Sequence, residues 1–152
     1  MADNNSLTPK GYHTITPLLK IKEPLKLIEF LKQVFEAKEI NNIQQKNEKR
    51  FDIKIGDSVI MISDSIKELE SLPCSFYLYV NDVDQVYDTA LKHRATSLRE
   101  PKNEAHGERC AGLKDIFGNQ WWIASPNKKA TEEETLGYTS DSYAETDQTF
   151  SL

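Results

Sequence analysis

The chain has 152 residues, 38% of them hydrophobic and 28% charged, with a net charge of −5. That length argues for one domain able to bury a real core, and no apolar run approaches the roughly 20 residues a membrane-spanning helix needs. The acidic balance argues against nucleic-acid binding, which needs a basic face to release counterions.

Residues 1–10 read as a flexible lead. They show neither a basic n-region nor an apolar stretch, so no secretory signal is expected. Thr14 to Ile21 is β-branched and aliphatic and predicts a strand. Pro24 then suits the opening turn of a helix, with Glu23 as the candidate cap. Leu27, Ile28, Leu31, Val34 and Phe35 fall on one face of it. Asn41 to Gln44 is a weak strand. Phe51, Ile53 and Ile55 alternate with Asp52 and Lys54, and Gly56-Asp57 turns the chain into the apolar run 58–62, so a hairpin is expected. A loop covers 64–73.

Ser75 to Val80 is an aromatic-rich strand. Asp82, with Gln85 three residues on, signals the start of a second helix whose apolar face is Val83, Val86, Tyr87, Ala90 and Leu91. His93 and Arg94 close it, where the helix dipole favours cations. Strands follow at 96–98, 109–113 and 120–124, the last after a Gly118-Asn119 turn. Residues 126–152 hold Lys128 and Lys129 against Glu132, Glu133, Glu134, Asp141, Glu145 and Asp147, so most of the net charge lies there. This stretch reads as an acidic disordered tail, too poor in apolar area to offset its ordering entropy. Two cysteines, Cys74 and Cys110, are too few for a disulfide framework and fit reduced thiols in a cytoplasmic protein.

The order strand, helix, three strands occurs twice, so the chain contains an internal repeat. Ile21-Lys22-Glu23 before the first helix matches Val80-Asn81-Asp82 before the second, and Gly56-Asp57 matches Gly118-Asn119. The fold class is α+β: two βαβββ modules, about 11–63 and 74–125, within a domain spanning 11–125. Neither half can cover its apolar face alone, so the two should pack and enclose a groove.

This doubled unit resembles the vicinal oxygen chelate superfamily of glyoxalase I, bleomycin-binding proteins, fosfomycin-modifying enzymes and extradiol dioxygenases. The segments 11–17, 55–61, 79–84 and 115–124 resemble its PhnB-like group. The resemblance implies a divalent ion held by His and Glu from the first and last strands of each module, leaving coordination positions open for substrate oxygens. At the matching positions this chain has Thr16, Ile60 or Met61, Ser75 and Trp122. Its three histidines, His13, His93 and His106, fall elsewhere. No metal and no cofactor are therefore expected.

By the family geometry, Thr16, Met61, Ser75, Tyr77, Tyr79, Gln120 and Trp122 line the groove, making an aromatic pocket with hydroxyl and amide groups. The same rings could instead pack as core. Arg109 could hold an anionic group bidentately or pair with Glu108 or Glu104. His106 suits acid–base work by type, though a solvated loop histidine is the plainer reading. No catalytic residue is assigned. The expected protein is a cytoplasmic homodimer that binds a small amphipathic or aromatic molecule. The alternative is a metal-dependent or metal-free lyase, isomerase or dioxygenase of the same superfamily.

Overall fold

The computed structural model describes residues 8–46, 48–64 and 72–126. The acidic tail expected after Pro126 lies outside them. Ten elements follow in chain order: β1 (Leu18–Lys20), α1 (Pro24–Phe35), β2 (Lys38–Gln45), β3 (Glu48–Ile55), β4 (Ser58–Ser63), β5 (Ser75–Tyr79), α2 (Val83–Lys92), β6 (Thr96–Asn103), β7 (Glu108–Lys114) and β8 (Gln120–Pro126). They form two four-stranded sheets, β1-β4-β3-β2 and β5-β8-β7-β6. In each, the first strand runs parallel to the last, and the other pairs are antiparallel. The fold is α+β with two equivalent modules. No helix among the described residues is long and apolar enough to cross a membrane.

Both helices and one face of each sheet share a single core. Phe51, Ile53, Ile55, Ile60 and Ile62 pack with α1 in the first module; Leu113, Trp121 and Ile123 join Val83, Tyr87 and Ala90 in the second. Trp121 links the halves. Its ring stacks on Phe76 at 4.6 Å and meets Phe35 of α1 at 5.0 Å. Aromatic pairs of this kind add about 0.5–1.5 kcal/mol beyond area burial.

Two local expectations are corrected. The first strand begins at Leu18 rather than Thr14. Pro17 has no N–H to give a ladder, and the Thr16 hydroxyl turns back to donate to the His13 carbonyl at 3.3 Å. Glu23 does not cap α1 through its side chain; it reaches Lys26 instead, at 2.7 Å. Asp82 does cap α2, accepting from the Gln85 N–H at 3.1 Å.

The turn between β7 and β8 is held by a buried carboxylate. Asp115 accepts from the backbone N–H groups of Phe117 and Asn119, from Asn119 Nδ2 and from Trp121 Nε1, all at 2.9–3.0 Å. Asn119 Oδ1 in turn accepts from the Cys74 N–H at 3.0 Å, which sets the start of β5.

Candidate functional site

Because the helices occupy the shared core, the opposite face of each sheet points away from it. Between the two modules, α1 and α2 are in contact. A cavity of about 590 Å³ lies between the two modules. It is lined by the end of α1 at Phe35, the β3–β4 turn at Asp57, the end of β5 at Tyr77 and Tyr79, and α2 at Gln85.

Alternation along the second sheet collects most of the predicted site residues. Ser75, Tyr77 and Tyr79 of β5 pair with Gln120, Trp122 and Ala124 of β8. Glu108, Cys110 and Gly112 of β7 continue the face, and Arg99 of β6 pairs with Gly112. Tyr77 is 51% and Tyr79 68% exposed, unusual for rings on the face of a sheet. Their centroids are 5.5 Å apart, edge to face. Trp122 is half-buried. Its ring lies against Gly112, where an added Cβ would come within 2.6 Å of it. The Arg99 guanidinium covers the ring at 5.4 Å from its centroid and pairs with Glu104 at 2.7 Å.

Glu108 gathers a polar cluster on the same face. Tyr77 Oη donates to its Oε2 at 2.6 Å, His106 Nε2 lies 3.0 Å from the same oxygen, and Tyr79 also bonds the carboxylate. The Tyr77 donor, with His106 beside it, holds the Glu108 carboxyl below the usual glutamate range. Burial, reinforced by the bond to Glu108, pushes the Tyr77 phenol well above its usual value. Cys110 is buried, with its Sγ 3.8 Å from Tyr77 Oη.

Arg109 falls on the other face of β7. It holds Asp84 at the start of α2 bidentately, at 2.6 and 2.7 Å, and Asn103 at 2.9 Å. Neither Glu108 nor Glu104 is its partner, and it does not reach the open face. Asp84 is held below the usual aspartate range by this guanidinium. The contact pins the helix to the sheet.

The first sheet's open face carries the remaining residues. Met61, not Ile60, points there; Ile60 belongs to the core. Leu18 pairs with Met61, and Met61 pairs with Asp52. Asp52 is only 1% exposed. It accepts from Tyr12 Oη at 2.7 Å, Asn41 Nδ2 at 3.2 Å and Arg50 Nε at 3.2 Å. The bond to Asp52 raises the Tyr12 phenol pKa. It also ties residues 8–17 across the sheet. Thr16 sits in that segment, half-buried, just ahead of β1. Lys20, Arg50, Lys54 and Lys38 share this face by register.

The side chains at the positions implied for metal ligands are thus a hydroxyl engaged with a backbone carbonyl, a thioether, a serine and an indole packed on glycine. Among the described residues no three His, Cys, Asp or Glu side chains assemble as an ion site. Sequence reasoning passed over Glu108 as a centre, as well as Arg99 and Asp52. The alternation of Asp52 and Lys54 with Phe51, Ile53 and Ile55 was the signal available for Asp52.

The fold has clear counterparts. TioX from Micromonospora sp. ML1 superposes with a TM-score of 0.63 at 15% identity, over 74% of this chain and 97% of that one. The chain has the glyoxalase/bleomycin resistance/dioxygenase superfamily fold. Within that fold, a protein of this superfamily from Burkholderia phytofirmans aligns with a TM-score of 0.57 at 19% identity, over 72% and 94% of the two chains. A point mutant of the fosfomycin resistance protein FosX from Listeria monocytogenes, crystallised with Mn(II) and 1S,2S-dihydroxypropylphosphonic acid, aligns at 0.58 and 19%, over 80% and 92%. By sequence, an uncharacterized protein of Mycobacterium bovis is 23% identical over 133 residues, covering 79% of this chain and 88% of its own. No protein-family model matches the sequence.

Proposed function

We propose that the protein binds a small amphipathic or aromatic molecule without a metal, in a groove completed by a second copy of the chain. The observation carrying this reading is the open face of the second sheet. Tyr77 and Tyr79 stand exposed beside Trp122, with the hydroxyl of Ser75 and the amide of Gln120 on the same surface. Rings flanked by a few polar groups are the usual lining of a small-molecule site. A sheet with one face against the core and apolar groups on the other calls for a covering layer. Leu18 on the first sheet, 50% exposed, extends the same need. A two-fold dimer setting the first sheet of one copy over the second sheet of the other would cover both. The free thiols Cys74 and Cys110 suit a cytoplasmic setting.

The test has two parts. Light scattering of the full chain should give a dimer. Titration with planar aromatic compounds should quench tryptophan emission with unchanged affinity after dialysis against a chelator. A stoichiometric transition ion, lost together with binding on chelation, would overturn the metal-free reading.

The cluster on Glu108 favours one second reading, a metal-free acid–base enzyme. There His106, oriented by Glu108, would exchange a proton with a molecule resting on the tyrosines. Turnover of a bound compound that is lost in His106→Gln, with binding retained, would favour it.

A further inference from the structure

The open face of the first sheet has a charge pattern at odds with the chain as a whole. The protein is acidic, at −5, yet this face presents Lys20, Arg50, Lys54 and Lys38 around the buried carboxylate of Asp52. That carboxylate is already engaged by Tyr12, Asn41 and Arg50. Lys38 and Lys54 are directly opposite one another in the β2–β3 register, next to the irregularity between Glu39 and Asn41. Like charges placed directly across an antiparallel pair repel and weaken the sheet. Among the described residues neither lysine makes an ion pair, and nor does Lys20. Lys54 is half-buried, so part of its stem is held in place.

We infer that Lys38 and Lys54 bind the anionic group of the ligand, so that the molecule taken up is an aromatic or amphipathic anion bearing a carboxylate, sulfonate or phosphate. This rests on the proposed groove: the anionic end meets the lysine pair of one copy while the ring lies on the tyrosine face of the other. An anion between the two ammonium groups turns their repulsion into two attractions. Arg50 is committed to Asp52 and serves instead to keep that carboxylate from opposing the ligand's charge.

A matched pair of probes tests the inference on the full chain. 8-Anilinonaphthalene-1-sulfonate and N-phenyl-1-naphthylamine share one ring system and differ by the sulfonate. At low salt the sulfonate should bind about tenfold more tightly, the contribution of two partly exposed ion pairs. Added salt should erase the difference. Lys38→Gln/Lys54→Gln should lower sulfonate affinity to that of the neutral dye and leave the neutral dye unchanged. The same double variant should melt no lower than the parent, since it removes a repulsion, so lost binding cannot be put down to unfolding. Equal binding of the two dyes by the parent would overturn the inference while leaving the groove standing, and so would a preference that survives the double substitution. Failure of both dyes to bind would sink the groove and the inference together.

Discussion

Asp115 offers the sharpest test of how the second module is built. Replacing it with alanine removes one acceptor group and orphans four donors at once: the N–H groups of Phe117 and Asn119, Asn119 Nδ2 and Trp121 Nε1. Phe117 is only half-buried, and its N–H can turn to water. Asn119 and Trp121 are 3% and 2% exposed and cannot. A buried donor left unsatisfied costs about 1–3 kcal/mol. The three donors of Asn119 and Trp121 share one turn and relax together, so their costs do not simply add. The expected loss is about 3–4 kcal/mol, a large share of the roughly 5–15 kcal/mol by which domains of this kind are stable. Urea unfolding followed by tryptophan emission would read it as a fall in midpoint at constant slope. Asp115→Asn retains one acceptor oxygen and should lose about half as much. A loss under about 1 kcal/mol in the alanine variant would refute the idea that this carboxylate organises the turn, because desolvation alone forbids so small a cost for buried orphaned donors.

Three further outcomes follow from the same structure. Gly112→Ala places a methyl where the Trp122 ring now lies, 2.6 Å from its nearest atom; the ring must swing outward, at about 1–3 kcal/mol of overpacking cost, and tryptophan emission should become more accessible to acrylamide. Arg109→Gln breaks the bidentate contact to Asp84; as a partly exposed pair it should cost about 0.2–1 kcal/mol in urea unfolding and leave dye affinity unchanged, because Arg109 faces the helix. Glu108, held below the usual glutamate range by Tyr77, contributes stability that is present above the unfolded-state glutamate pKa and is lost as pH falls through the lower folded-state value; Tyr77→Phe should therefore flatten the acid limb of a stability–pH curve, and an unaltered limb would show that the bond does not carry it.

The modules were legible because each rests on local chemistry. Pro24 and the apolar stripe behind it fix α1 at Pro24–Phe35, and Asp82 starts α2 by a cap that the side-chain type alone predicts. The β5 and β8 faces followed from period-two alternation, which needs no tertiary knowledge once the strand is accepted. Arg109 was misplaced for a related reason. Period-two alternation says that Arg109 and Cys110 lie on opposite sides, but only the pairing of Cys110 with Ala124 says which side is which. The Glu108 cluster was hidden more deeply. It joins Tyr77, Tyr79 and His106 from two stretches about thirty residues apart, and strand pairing alone brings them together. The late start of the first strand came from Pro17 and from Thr16 bonding its own turn, local effects that the β-branched composition of Thr14–Ile21 outweighed in the reading.

The two open faces differ in character, and that difference bears on how copies would meet. One carries Lys20, Lys38, Lys54 and Arg50; the other carries Tyr77, Tyr79 and Trp122, with Glu108 at the start of β7. A dimer joining like faces would set the lysine rows against each other, a repulsion of several kcal/mol across a desolvated interface, and would leave the tyrosines to meet only tyrosines. A two-fold axis that sets unlike faces together yields two equivalent grooves, each with cations on one wall and rings on the other. It also brings the Glu108 carboxylate toward a positive surface, so the charge that opposes an anionic ligand on one wall is compensated from the other. The pairing that best satisfies the electrostatics of the protein alone is therefore the one that also leaves a cationic, aromatic-walled space for a ligand. In such a dimer, Lys38→Glu/Lys54→Glu should weaken association as well as anion binding, read as a rise in the monomer fraction on dilution. A dimer untouched by that reversal would mean that the first sheet's face lies outside the contact.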